Sequence, residues 1–178
     1  MKKTLLTIIA CALALTGCAQ KSEKVLVAYF SATGTTAKVA ATLAEATGAT
    51  LYEIQPETRY TDADLDWRDQ ESRSSLEMKD PACRPAIVKD LQDAASYSTI
   101  YVGFPVWWGT APREINTFLE SYDLSGKTVI LFATSGGSDL SQANAEFKEA
   151  YPALVWKDGK VLGNASTAAE LQAWAESL

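Results

Sequence analysis

"VAYFSATGTTAKVA", residues 27–40, decides how this chain is read. Its first half is an unbroken apolar run, the pattern of a strand covered on both faces. After it, Val39, Leu43 and Ala46 recur at helical spacing, and Gly48 is a fitting stop. At the junction stand Ser31, Ala32, Thr33, Gly34, Thr35 and Thr36. A single Ser or Thr is enough to cap a helix, at about 1 kcal/mol, and a cap is the plain reading of the cluster. Four hydroxyls around one glycine ask for more. A helix N-terminus offers unpaired N–H groups and partial positive charge, and glycine lets the backbone approach a ligand, so the loop suits a phosphate. No lysine follows the glycine, which excludes a Walker loop, and a lone glycine is not the dinucleotide fingerprint.

Outward from that junction the alternation continues. Residues 24–30, 50–54, 98–104 and 127–133 read as strands, and Ile115, Leu119 and Tyr122, then Leu140, Ala143, Phe147 and Ala150, mark helices between and after them. Thr110 and Pro112 stand at the start of the first of these helices. In 153–163, Asp158-Gly159 is either a hairpin turn or an interruption in one edge strand, and a fifth strand ending near Leu162 is favoured. A last helix follows, with Thr167 and Glu170 spaced as a capping box and Leu171, Trp174 and Leu178 facing the sheet. This alternation predicts an α/β fold, a parallel sheet with helices on both faces. The interval 56–97 exceeds a simple crossover. It is polar and irregular, is expected to carry a helix around Ile87–Ala94, and is placed over one edge of the sheet.

The chain has 178 residues, 47% hydrophobic, enough for one domain with a full core. A net charge of −6 without a basic stripe argues against nucleic-acid binding. There is no histidine, so any mechanism needing an imidazole is excluded.

The first residues read as an address rather than as fold. Lys2 and Lys3 precede an apolar stretch from Leu5 to Leu15, the layout of an export signal and too short to span a bilayer. "LTGC", Leu15–Cys18, resembles the lipobox of bacterial lipoproteins. That resemblance implies a signal peptide over 1–17, a lipid on Cys18, a tether to residue 23 and a domain over 24–178. Lipid chains anchor at about 0.8 kcal/mol per buried methylene. The expected location is therefore the cell envelope, with a weak lean from Ala19 towards an outer membrane. Cys11 leaves with the signal, so Cys83 is left without an intrachain partner and reads as an incidental loop residue.

In an open parallel sheet, ligands sit beyond the carboxyl ends of the strands, where the strand order reverses. "SATGTT" follows the first strand, "PVWWGT" the third and "TSGGS" the fourth. Two adjacent tryptophans cannot both enter one core, and a ring lying over a flat ligand explains the pair. The glycines of the last loop expose backbone donors, or simply make a flexible turn.

Together the three loops resemble those of the flavodoxin family, whose phosphate loop is written Ser/Thr-x-Thr-Gly-x-Thr, and the Arg84-Pro85 step is similar to one bacterial branch of it. The likeness runs from about Lys24 to Leu178 and is of the short-chain type. It implies a doubly wound five-stranded sheet of order 2-1-3-4-5 and flavin mononucleotide (FMN), bound without a covalent link, for single-electron transfer. It places Ser31, Ala32, Thr33, Gly34, Thr35 and Thr36 at the phosphate. Pro105, Val106, Trp107, Trp108 and Gly109 fall beside the isoalloxazine, and Ser135, Gly136 and Gly137 at its pyrimidine side. No catalytic acid or base and no metal is implied. The partner is a redox protein or a quinone, reached from a lipid-anchored position unusual for a mostly cytoplasmic family. Acids such as Asp123, Asp139 and those of Tyr60–Glu71 would lower the last reduction potential. Two alternatives stand beside this reading: a quinone or flavin reductase driven by reduced nicotinamide, which needs a second pocket near Trp107, and a binding lipoprotein without flavin.

Overall fold

The computed structural model describes residues 24–178. The expected signal peptide, Cys18 and tether lie outside the described residues. Strand β1 (Lys24–Tyr29) runs through the centre of the molecule, with Leu26, Val27 and Ala28 fully buried. Successive side chains of a strand point to opposite faces. Leu26 and Ala28 accordingly join one core cluster and Val27 the other. The remaining elements are α1 (Thr35–Thr47), β2 (Thr50–Glu53), α2 (Arg73–Lys79), β3 (Tyr97–Pro105), α3 (Arg113–Ser121), β4 (Thr128–Thr134), α4 (Ser141–Ala150), β5 (Val155–Val161) and α5 (Ala168–Glu176). All strand pairs are parallel and the order is β2-β1-β3-β4-β5. This is the doubly wound sheet the flavodoxin resemblance implies.

Helices cover both faces. Ile115, Phe118 and Leu119 of α3, with Ala143 and Phe147 of α4, pack on one side with Ile100, Val102 and Leu131. Val39, Ala40 and Leu43 of α1, with Leu171 and Trp174 of α5, pack on the other with Tyr101, Ile130 and Phe132. Each fully buried Val, Leu, Ile or Phe among them contributes about 1.5–3 kcal/mol. Helix α1 stops at Gly48, whose φ of 65° is the left-handed angle of a helix C-terminus. Thr167 and Glu170 form the capping box of α5. Among the described residues no helix is long and apolar enough to cross a membrane.

The Asp158-Gly159 question resolves as one edge strand with a bulge. Ile130 pairs with Lys157 and Phe132 with Lys160, so β5 carries one extra residue there. A Cβ on Gly159 would stand 2.2 Å from the Leu131 carbonyl oxygen. The helix expected around Ile87–Ala94 does not form. Ile87 bridges Pro56 in antiparallel pairing, and the amides of Glu57 and Val88 donate to Ala86 and Gln55 across it. Pro85 before this stretch favours extended backbone in its predecessor, and Asp93 at φ 52° ends it in a 3₁₀ turn at Ala94–Ser96. The helix of this interval is α2 instead, started by Ser72, whose hydroxyl accepts the Ser75 amide. The interval also does more than cover an edge: it folds over the carboxyl ends of β1 and β3.

Candidate functional site

The order of the sheet reverses between β1 and β3, so connections leave their carboxyl ends in opposite directions and open a crevice. Into it comes the loop 31–36. Gly34 sits at φ 84°, a left-handed angle that a side chain tolerates poorly, and its missing Cβ leaves open space. No side chain among the described residues caps α1, and no acid stands in its first turn. The four hydroxyls therefore do not serve as the cap that was their plain reading. Thr36 is buried and its hydroxyl pairs with that of Thr134 on β4 at 2.8 Å, which locks the helix start to the sheet. The Oγ of Ser31 is buried and has no hydrogen-bond partner among the described residues. An orphaned donor beside the uncapped amides of α1 is an arrangement of a kind that suits an anion.

The second loop is a tight turn. Trp107 and Thr110 exchange both backbone hydrogen bonds, at 2.9 and 3.0 Å, around Trp108 at φ 47° and Gly109 at φ 83°. Two successive positive φ angles make a type I′ turn, for which tryptophan is an unusual occupant. Helix α4 braces it. The Thr110 hydroxyl donates to Glu146, and the Gln142 side chain fills the place of a Cβ on Gly109. Trp107 turns inward, its ring edge-on to Phe30 at 5.6 Å and to Tyr60 at 5.5 Å. Trp108 stays 48% exposed.

Two cavities lie on either side of this turn and share Thr33, Pro105, Val106 and Trp107 as their common wall. The first, of about 390 Å³, reaches to Thr35, Thr134, Ser135, Gly136 and, beyond β5, Asn164. It thus collects all three glycine-rich loops. Ser135 folds its loop locally by accepting the amides of Gly137 and Ser138 at 3.1 and 2.7 Å. The second cavity, of about 360 Å³, is lined by Ala32, Leu65, Trp67, Ser74 and Trp108. Of the residues singled out in sequence, Gly34, Thr36, Gly109 and Gly137 line neither cavity, and Ser31 lines a smaller recess with Phe30, Arg59 and Tyr60. Asp123 lies between α3 and β4, at the amino end of the sheet, because α3 runs back from the crevice. It cannot act on the site in the way expected of it, whereas Asp139 lies just beyond the Ser135–Ser138 loop.

Behind Trp107 is a buried polar cluster. The Tyr60 hydroxyl is hydrogen-bonded to both Glu77 and Glu114. Arg73 pairs with Glu77 at 2.6 Å and lies 4.0 Å over the Tyr60 ring. Glu114 is fully buried, and its Oε2 has no partner among the described residues. Burial raises its pKa to about 7, against the pull of the Tyr60 hydrogen bond.

A flavodoxin family model matches residues 24–178, the whole of the described chain. The chain belongs to the flavodoxin family. Among solved structures it is similar to a candidate flavoprotein from Bacteroides uniformis, with 53% identity and a TM-score of 0.83 over 86% of this chain and 98% of that one. A candidate flavoprotein from Bacteroides eggerthii is similar at 49% identity and the same TM-score, over 86% and 96%. A flavoprotein from Lactobacillus acidophilus solved in complex with FMN shares the fold, with a TM-score of 0.66 at 23% identity over 86% and 99%. No curated protein matches the chain.

As a flavodoxin this chain carries site residues that its loops did not announce. Trp67 and Leu65 come from the long interval, where a solvent-exposed tryptophan in a polar segment was the available signal. Asn164 enters only because β5 ends beside β4, and Glu114 sits in the first turn of an amphipathic helix, where sequence alone reads a surface acid.

Proposed function

We propose that this flavodoxin binds FMN and transfers electrons from a lipid-anchored position in the cell envelope. The observation that carries the cofactor reading is the open end of α1, uncapped among four hydroxyls and with the Ser31 hydroxyl orphaned beside it. The FMN complex of the Lactobacillus acidophilus protein, of the same fold, supports it. In this reading Ser31–Thr36 hold the phosphate, the α1 amides and the Ser31, Thr33 and Thr35 hydroxyls donating to it. Thr36 contributes through its amide, its hydroxyl being held by Thr134. Trp107 and Trp108 border the ring, and Ser135–Gly137 offer backbone N–H groups to its polar edge.

FMN supplies the electron chemistry when bound, and the protein supplies binding, orientation and electrostatics. The anchor and the export signal rest on residues 1–18, and the partner is a redox protein or a quinone at the membrane. The full chain, purified in detergent, should be yellow, with visible bands that bleach on reduction. A colourless protein that takes up no added FMN would contradict the reading and favour a binding lipoprotein without flavin.

A second reading has one observation in its favour: a cavity against Trp107 beyond the one that gathers the cofactor loops. A reductase acting on a quinone with reduced nicotinamide needs such a space. Sustained nicotinamide oxidation by the flavin-loaded chain in the presence of a quinone would decide for it, and no turnover would decide for the carrier.

A further inference from the structure

We propose that Glu114 is a positioning residue that carries a proton on the acid side of neutrality and, through Tyr60, fixes the Trp107 wall of the cofactor site. The argument begins with a count of hydrogens. The Tyr60 oxygen is in hydrogen-bond contact with Glu77 Oε2 and Glu114 Oε1. A phenol has one hydrogen to donate, and an ionised carboxylate only accepts. Three oxygens in a row therefore need a second proton, on one of the two acids.

Charge assigns it. Glu77 pairs directly with the Arg73 guanidinium at 2.6 Å. Glu114 is fully buried in α3 and makes no ion pair among the described residues. An unpaired buried charge is far costlier than a neutral acid. The chain of donors then runs one way: Glu114 donates to Tyr60, Tyr60 donates to Glu77, and Glu77 also accepts from Arg73. The raised pKa of Glu114, about 7, agrees with this assignment.

The groups facing Glu114 come from each neighbouring segment. Tyr60 approaches from the loop before α2, and Arg73 and Glu77 from α2 itself. Arg113 precedes Glu114 on α3, its Nη2 donating to the Met78 carbonyl. Farther off is Cys83, whose thiol is pushed up by burial first and by Glu77, Asp80 and Glu114 after it. Tyr60 cannot take over the titration, since burial first and then Glu114 hold its phenol far above the usual range.

Loss of the Glu114 proton leaves two carboxylates competing for one phenolic hydrogen. Tyr60 must re-aim, and its ring is the edge-on support of Trp107 at 5.5 Å. It also places a new negative charge behind the wall of a site built for an anion. As the FMN reading has it, affinity for the cofactor then falls as pH rises through neutrality.

The test is an FMN titration of the full chain at pH 6.5 and pH 8.5, alongside Glu114→Gln and Tyr60→Phe. Wild-type affinity should fall about tenfold, the worth of one pKa unit. Glu114→Gln should show a flat profile, because its amide donates to Tyr60 at every pH. Tyr60→Phe, which keeps the ring but removes the relay, should make the slope shallower, leaving only the part due to the Glu114 charge. A flat wild-type profile, or a slope retained in both variants, would overturn the proposal. A chain that bound no FMN would defeat the functional reading but not this one. The near-UV dichroism of the indoles then reads the same event: a transition near pH 7 in the wild type and none in Glu114→Gln supports it, and a wild type without that transition refutes it.

Discussion

At Trp108 the backbone keeps a left-handed angle while the ring stands half in solvent, so neither local preference nor core packing explains the residue. A side chain in that region costs about 1–2 kcal/mol, and such strain is retained where it positions something. Glycine at this position relieves the strain and gives back about 0.5–1 kcal/mol in unfolded-state entropy. Trp108→Gly should therefore leave the denaturation midpoint unchanged or slightly raised while weakening FMN binding about tenfold, which a melt and a fluorescence titration can read together. The stacking at stake is on the order of 1–3 kcal/mol, judged from base–aromatic contacts. Ser31 gives a parallel case with the opposite chemistry. An unpaired buried hydroxyl costs about 1–3 kcal/mol, so Ser31→Ala should stabilise the flavin-free chain by up to about 1 kcal/mol and cost the loaded one about tenfold in affinity. A variant that bound FMN as tightly as wild type would place the phosphate elsewhere. These residues were legible in sequence because small hydroxyl residues, glycine and paired tryptophans are poor core material. Tyr60 and Glu114 were not, since their meaning is a contact between segments 54 residues apart.

Among the elements, the strands and the helices that cover the sheet could be read from period alone, since burial on both sides leaves continuous apolar runs in β1, β3 and β4. The interval 56–97 could not. Ile87, Val88 and Leu91 look like one face of a short helix, but the backbone of residues 86–88 is paired with residues 55–57 instead. Tertiary pairing outweighs a weak local preference there. The edge strand β5 was legible only as two alternatives, because Asp158-Gly159 serves a bulge as well as a turn. Its structural reason now yields a prediction. A methyl group on Gly159 would meet main chain, which cannot swing aside as a side chain can. Gly159→Ala should cost about 1–3 kcal/mol in denaturant unfolding, the usual range for overpacking, with FMN affinity little changed.

For the whole molecule, pH dependence follows from the same buried acid. The Glu114 pKa rises from 4.5 unfolded to about 7 folded, so the native state binds more protons between those values. Its contribution is full below pH 4.5 and is lost as pH rises through about 7, a loss on the order of 3 kcal/mol. Unfolding free energies of wild type minus Glu114→Gln should fall across that window, and a constant difference would count against a neutral Glu114. In the proposed FMN complex the net charge of −6 would act on the flavin. With Asp123 at the far end of the sheet, the acids that matter are Asp139 and those around Leu65 and Trp67. One charge at about 10 Å and an effective dielectric of 20 is worth roughly 1.7 kcal/mol, or about 70 mV for one electron, before screening. The last reduction step should lie below that of free FMN in a redox titration. Beneath all of this stands the claim that the uncapped start of α1 holds a phosphate. Riboflavin and FMN differ in that group alone, so calorimetric titration of the full chain with each tests it most directly. Charge-assisted hydrogen bonds at about 1.5–3 kcal/mol apiece predict FMN at least about a hundredfold tighter, and equal affinity for the two would contradict the account.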